Sequence, residues 1–453
     1  MFQIRTEETS MSLTVGGAPL SIAQGVREFG RAAPQQVAVI DGSRRWTYAQ
    51  LVERSRRWAN VLLALDLDQG DRVAVLMGNR GEYPEVACGI AMAGLVMVPL
   101  NPRLTPPETD FIIGHSGARA LVLDGALAPQ ARESVHERAL QTIEITAPDR
   151  SPALGQDYEA ALSAASPTDP NITLDERDPF CIAYTSGTTS RPKGVEISHR
   201  SRALTFYMSA LEWGLGPGRI SVAVAPMYHG AGFAFGYAPV HTGGTVVMLP
   251  KWDPVRLLEL IEAEKAQSVF LIPTHAHMLR ALPPETLERY DLSSLDTLYF
   301  NAAALPWELK KWVMSAFPGV GVHELYGSTE AGIVTNLRPV DMRSRPGSVG
   351  HPWFMTEVRV VRPDGTEVGP GEPGQLYSRS PFLMNGYHDN PEATAECTTE
   401  DGFLTCGDVV TLDEDGYISI VDRITDMIIS GGVNVFPREV EEILASHPAV
   451  AEA

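Results

Sequence analysis

Three observations predict an α/β fold with a β-rich region following it. Through about residue 338, short apolar runs alternate with segments whose apolar residues recur at helical spacing. After Arg338 prolines and glycines become dense, and the apolar runs between them turn short and alternating. A chain of 453 residues is also too long for one simple core, so two or more domains or subdomains are expected.

The elements follow in order. Val37 to Ile40 is a β-branched run, and Tyr48 to Leu65 reads as an amphipathic helix. Arg72 to Met77 is a buried strand, Glu85 to Ala93 a helix, and Val96 to Leu100 and Ala120 to Leu123 are strands. Later strands are expected at Ser221 to Ala225, Thr245 to Leu249 and Ser268 to Ile272, with a helix at Pro254 to Lys265 that Asp253 caps. Strand–helix alternation of this kind argues for parallel sheets. Ser163 to Asp178, rich in Pro, Asp, Thr and Ser, reads as a connection. In the later region, Thr356 to Val361 and Gly374 to Ser378 suggest a small antiparallel sheet or barrel, and Asp413 to Gly416 a hairpin turn. Pro437 to Ser446 begins an amphipathic helix whose Glu439, Glu441 and Glu442 form a solvated face.

Composition excludes several classes of function. With 36 basic and 56 acidic residues the formal charge is −20, which repels a phosphate backbone and anionic lipid, so neither nucleic acid nor membrane is an expected partner. The longest apolar stretch, Val86 to Leu100, is broken by Gly89, Gly94 and Pro99 and falls short of the ~20 residues a membrane span needs. The N-terminal MFQIRTEETS has no apolar core and does not read as a signal peptide. Cys88, Cys181, Cys397 and Cys406 are far apart with no CxxC pair, which fits a reducing, cytoplasmic setting.

The segment richest in chemistry is Tyr184 to Gly194, YTSGTTSRPKG. A strand-like run feeds a loop of hydroxyls and glycine that ends in Lys193. Such a loop can wrap phosphates: glycine lets the backbone approach, N–H groups and hydroxyls donate, and the lysine brings a point charge. It is not a Walker loop, because Pro192 precedes Lys193 and Gly194 follows it. His275 and His277 form an H-x-H with no third ligand nearby, so a loop or helix-start pair is expected there.

This loop resembles the phosphate-binding signature of the adenylate-forming superfamily, which comprises acyl-CoA synthetases, luciferases and peptide-synthetase adenylation domains. The resemblance recurs in order along nearly the whole chain. It takes in WTYAQL at Trp46, AGLVMVPLNP at Ala93, YGSTE at Tyr326, GQL at Gly374, NGY at Asn385, GD at Gly407, DR at Asp422 and SGG at Ser430. It implies a large N-terminal domain over residues 1–422, of two stacked α/β sheets to about 338 and a small distorted β-barrel over about 339–422. Residues 423–453 would then be a hinge, at Thr425, and the truncated start of a small α+β lid domain. The family's lid-domain lysine has no counterpart, since no lysine follows Arg423.

The resemblance also implies roles. Thr185, Ser186, Gly187, Thr188, Thr189 and Lys193 would cradle the phosphates of ATP. Thr329 would touch the α-phosphate, and Glu330 would hold Mg²⁺, a hard ion usually bound by one or two carboxylates plus substrate phosphates. Asp408 and Arg423, an acceptor and a donor, would read the ribose diol. Tyr326 would stack on adenine, and Ala303 and Ala304 would line its edge. His229 would gate the carboxylate site. No carboxylate follows it in GAGFAF (Gly230 to Phe235), so an α-amino group on the substrate is not expected, and no Arg or Lys stands out in that segment. Gly230, Ala231 and Gly232 would leave room for an apolar or aromatic tail, with Phe233 as a wall.

The implied activity is an ATP-dependent carboxylate–CoA ligase acting on a fatty or aryl acid through an acyl-adenylate, with CoA as co-substrate. Two other readings stay open: transfer to a carrier-protein phosphopantetheine, and a non-catalytic ATP- or AMP-binding module. A dimer is kept as the expected assembly. Ser190, Cys406 and Thr425 depart from the residues usual at their positions. No G-x-S-x-G nucleophile elbow is present, and none is needed where the substrate itself brings the nucleophile.

Overall fold

The computed structural model describes residues 19–147, 149–185 and 191–423, the short strands Ile428–Ser430 and Val433–Val435, and residues 437, 440, 444 and 450. The expected loop residues Ser186, Gly187, Thr188, Thr189 and Ser190 and the expected hinge residue Thr425 lie outside the described residues, as does most of the helix expected from Pro437.

Two sheets form the frame. One has eight strands, in the order Gly386–Tyr387, Lys193–Ser198, Pro179–Thr185, Val96–Leu100, Arg72–Leu76, Ala118–Asp124, Gln141–Ile145 and Gln156–Asp157. From Pro179–Thr185 onward every pair is parallel, whereas Lys193–Ser198 returns antiparallel on Pro179–Thr185. The second has thirteen strands. Its parallel centre is Thr245–Met248, Ile220–Ala223, Ser268–Leu271, Thr297–Phe300 and Gly321–Ser328. Beyond Gly332–Leu337 the sheet continues antiparallel through Ser348–Pro352, Ile418–Arg423, Asp408–Leu412, Gly374–Arg379 and Glu357–Val361. The sequence-expected strands fall within these bounds to a residue or two. The turn Asp413 to Gly416 joins Asp408–Leu412 to Ile418–Arg423, with Asp413 Oδ1 accepting from the Tyr417 and Asp415 amides.

Hydrophobic burial divides the large region into layers. The biggest cluster draws Val73, Val75 and Met97 from the eight-stranded sheet and Val39, Val246 and Phe270 from the other, so it lies between the two. The helices Tyr48–Leu63, Tyr83–Met92, His199–Trp213 and Gly230–His241 fill that interlayer with Trp58, Tyr83, Phe206 and Tyr237. A second cluster packs Pro254–Glu264 and Trp307–Ala316 on the outer face of the thirteen-stranded sheet. A third packs Pro106–Ser116 and Ala128–Arg138 outside the eight-stranded one. This is the stacked arrangement of two helix-covered sheets that the motifs implied.

Local chemistry explains the element bounds. Thr47 caps the helix Tyr48–Leu63 in a reciprocal box with Gln50. Asp253 caps Pro254–Glu264 by accepting from the Val255 and Arg256 amides, as expected. His275 lies inside the helix Pro273–Arg280 and stacks on Trp252 at 4.1 Å, a packing role in keeping with the expected helix-start pair. Among the described residues no cluster of three His, Cys, Asp or Glu side chains could hold a metal ion, and no helix is long and apolar enough to cross a membrane.

Candidate active site

Three parallel strands of the larger sheet end at one place. Ile220–Ala223 runs into Ala225 to His229, Thr297–Phe300 into Asn301 to Ala304, and Gly321–Ser328 into Thr329 and Glu330. Crevices at the carboxyl ends of such strands are where α/β sheets bind ligands. The smaller sheet meets this point with the hairpin of Pro179–Thr185 and Lys193–Ser198, in which Thr185 is paired with Lys193. The expected phosphate loop is the connection of that hairpin.

The two sheets touch through hydrogen bonds. The Thr185 hydroxyl donates to Glu330 Oε1 at 3.3 Å, and the Tyr387 hydroxyl donates to the same oxygen at 3.2 Å. Tyr387 stands on the edge strand Gly386–Tyr387 beside Val195, and Lys193 Nζ lies 4.9 Å from the centre of its ring. Lys193, Thr185, Tyr387 and Glu330 therefore form one neighbourhood, although they come from three separate parts of the chain. Glu330 Oε2 accepts no hydrogen bond among the described residues. A carboxylate held by one oxygen and open at the other suits an ion bound chiefly through substrate phosphates. Gly230 faces Thr329, since a Cβ at Gly230 would lie 3.4 Å from Thr329 Oγ1.

A second neighbourhood adjoins the first. The Tyr326 hydroxyl donates to Asp408 Oδ2, and Arg423 Nε donates to Asp408 Oδ1 at 3.2 Å. Asp408 and Arg423 are direct partners in the antiparallel pair Asp408–Leu412 and Ile418–Arg423, the placement expected of residues one hairpin apart. Asp408 is buried at 5% exposure, whereas Arg423 is exposed. Tyr326→Phe should weaken AMP binding by about 1.5–3 kcal/mol, because Asp408 loses a charge-assisted hydrogen bond that orients it. Calorimetric titration with AMP measures this, and an unchanged Kd would show that the pair plays no part in nucleotide binding.

Cys406 sits between these groups. Its sulfur lies 3.0 Å from Ser328 Oγ, which in turn accepts from the Ala331 amide at 2.9 Å. Burial, and then the nearby Glu330 charge, push the Cys406 thiol up to about 12, so it stays protonated at neutral pH and is a packing and hydrogen-bonding group. Ala303 and Ala304 are exposed beside Ala302, whose φ is 76°. Behind them the buried Glu324 accepts from the Leu305 amide at 2.9 Å and pairs with Lys310, itself 2% exposed.

The segment after His229 differs in part from its sequence reading. His229 is exposed at the start of Gly230–His241, while the atoms packed about its ring desolvate the imidazole and pull it below its ordinary value, favouring the neutral ring. Gly232 leaves no open room: a Cβ there would come within 1.9 Å of the Pro226 carbonyl oxygen, so close packing of the turn requires glycine. Phe233 is 4% exposed and stacks on Phe180 at 5.7 Å and on Tyr237 at 5.1 Å, inside the interlayer core. Tyr387 was legible only as part of the NGY match, and nothing local marked it as a neighbour of Glu330.

Comparison with known proteins agrees with this geometry. Residues 26–388 match the family model described as AMP-binding enzyme. A feruloyl-CoA synthase from Amycolatopsis sp is 37% identical over 423 residues, covering 93% of this chain and 82% of that enzyme. The long-chain-fatty-acid–CoA ligase FadD13 of Mycobacterium tuberculosis is 32% identical over 438 residues, 94% of this chain and 83% of that one. Among solved structures, ATP-bound MatB from Rhodopseudomonas palustris superposes with a TM-score of 0.86 at 28% identity, over 95% of this chain and 84% of MatB.

Proposed function

This chain belongs to the AMP-binding enzyme family, and on that premise we propose that it is an ATP-dependent acid–CoA ligase for an apolar, fatty or aryl, carboxylic acid. The observation that carries the reading is the convergence of Thr185, Lys193, Tyr387 and Glu330 beside the Tyr326–Asp408–Arg423 group. The first set suits a polyphosphate and the second a ribose diol.

The physical problem is to bring two anions together. Lys193 supplies positive charge, and Thr185 and Thr329 can donate hydroxyl hydrogen bonds to phosphate oxygens. Glu330 would hold Mg²⁺, which when bound neutralises charge on the phosphates. Asp408 and Arg423 fix the ribose, and Tyr326 and the small Ala303 and Ala304 receive the base. With the nucleotide held, the acid carboxylate attacks the α-phosphorus in line, giving the acyl-adenylate and pyrophosphate. The thiol of CoA then attacks the acyl carbon and AMP leaves. A neutral His229 at the mouth of the acid site adds no competing charge as the carboxylate enters.

Pyrophosphate release is the direct test. It would be followed with ATP, Mg²⁺ and a panel of fatty and aryl acids, with CoA or a holo carrier protein as acceptor. Acid-dependent release with a CoA thioester as product is expected. A thioester formed only on the carrier protein would move the assignment to a carrier-protein ligase. Absence of release with every acid would leave only nucleotide binding.

A further inference from the structure

Residues 384–388 join the two sheets and tie down both halves of the polyphosphate site. At one end the Met384 amide donates to the Glu330 carbonyl at 2.8 Å. At the other, the Asn385 and His388 amides donate to the Glu196 and Gly194 carbonyls, each at 2.8 Å, in the strand Lys193–Ser198. This short segment therefore fixes the backbones of Glu330 and of the Lys193 hairpin relative to each other. Tyr387 repeats the link with its side chain. Its hydroxyl donates to Glu330 Oε1 at 3.2 Å, and its ring centre lies 4.9 Å from Lys193 Nζ, within the reach of a cation–π contact.

Tyr387 is itself held in place. Its amide donates to Thr394 Oγ1 at 2.9 Å, on the helix Pro391–Cys397, which Asn390 caps by accepting from the Ala393 amide. Burial, and then the Glu330 charge, push the Tyr387 phenol well above its ordinary value, so at neutral pH it stays a donor. The Thr185 hydroxyl shares Glu330 Oε1, but it has only one hydrogen to give. When that hydrogen turns to a phosphate oxygen, Tyr387 is the remaining side-chain donor to Glu330 among the described residues. Lys193 and Glu330 carry opposite charges and both contact Tyr387, and among the described residues they form no ion pair with each other. A direct pair would cancel the two charges that a polyphosphate and its metal ion use separately.

We propose that Tyr387 is a positioning residue for adenylation: its hydroxyl anchors Glu330 by one oxygen and leaves the other for Mg²⁺, while its ring face keeps the Lys193 ammonium at the same site and apart from that carboxylate. Partners that orient a metal ligand in this way govern metal affinity without touching the ion. The inference rests on the reading of the cleft as an ATP site, and it adds a residue that acts there through Glu330 and Lys193.

Isothermal titration of the whole chain would measure the Kd for ATP with Mg²⁺ and with EDTA, and the Kd for AMP as a control. Tyr387→Phe keeps the ring and removes only the hydroxyl. It should weaken ATP binding with Mg²⁺ by about 10-fold and leave binding of ATP in EDTA, and of AMP, within about twofold. Made in the Glu330→Gln background, the same change should add no more than about twofold, because its effect on the metal runs through that carboxylate. Tyr387→Leu also removes the ring face, so ATP binding in EDTA should then fall several-fold. A purely structural role would lower the melting temperature and weaken ATP alike with and without Mg²⁺. That equal loss, an unchanged affinity with Mg²⁺ in Tyr387→Phe, or a full effect in the Glu330→Gln background would overturn the inference and leave ATP binding at this cleft standing. A parent chain whose ATP affinity Mg²⁺ does not alter would overturn it together with the metal role of Glu330. Failure of the parent chain to bind ATP and AMP would overturn the adenylation reading as well.

Discussion

Glu330→Gln should reduce Mg²⁺-dependent adenylate formation by a factor on the order of 10²–10³ or more, with folding intact. The replacement keeps the shape of the side chain and an acceptor for the Thr185 and Tyr387 hydroxyls, which both bond Glu330 Oε1. It removes the negative charge and the anionic second oxygen that accepts no hydrogen bond among the described residues. Circular dichroism should therefore match the parent, while acid-dependent pyrophosphate release falls toward background. The affinity for ATP measured with Mg²⁺ should drop to that measured without it. Full activity in the variant would show that Glu330 only ties the two sheets together and that the ion is held elsewhere.

The second large effect concerns stability. Lys310→Met should destabilise the protein by about 3–5 kcal/mol, measured as a lowered urea midpoint. Lys310 and Glu324 are an almost fully enclosed ion pair, with side chains 2% and 3% exposed. Removing the ammonium leaves a carboxylate in the core without its principal counter-charge. The same carboxylate accepts from the Leu305 amide, at the base of the Asn301 to Ala304 turn that would line the adenine site. Weakened AMP binding should therefore accompany the lost stability. Adding Glu324→Gln should restore most of the stability, because the amide still accepts from Leu305 and no net charge remains buried. If the double variant were as unstable as the single one, the loss would come from packing and not from the stranded charge.

Both predictions concern residues that the sequence revealed to different degrees. Glu330 was legible because it stands directly after Thr329 in a short motif, and a motif is local. The strand bounds were legible for the same reason. Val96–Leu100 and Arg72–Leu76 are continuous β-branched and apolar runs, as strands covered on both faces require. Asp408 and Arg423 could be paired in advance because one predicted hairpin joins them. Nothing near Lys310 in the chain marks it for burial, because its partner Glu324 lies on another element. Gly232 and Phe233 read as space and wall because residue size was visible in the sequence while the neighbours were not.

The sequence alone determined the strand–helix alternation that argues for parallel sheets, the strand-like run that feeds the expected phosphate loop, and the order of the motifs. Each depends on residues close together in the chain. Only the tertiary structure decided that Tyr387 and Thr185 reach Glu330 across 57 and 145 positions. The physical reason is that a periodic pattern says which face of an element is buried, whereas a hydrogen bond, or the want of one, is set by which atoms the packing of separate layers brings within a few ångströms.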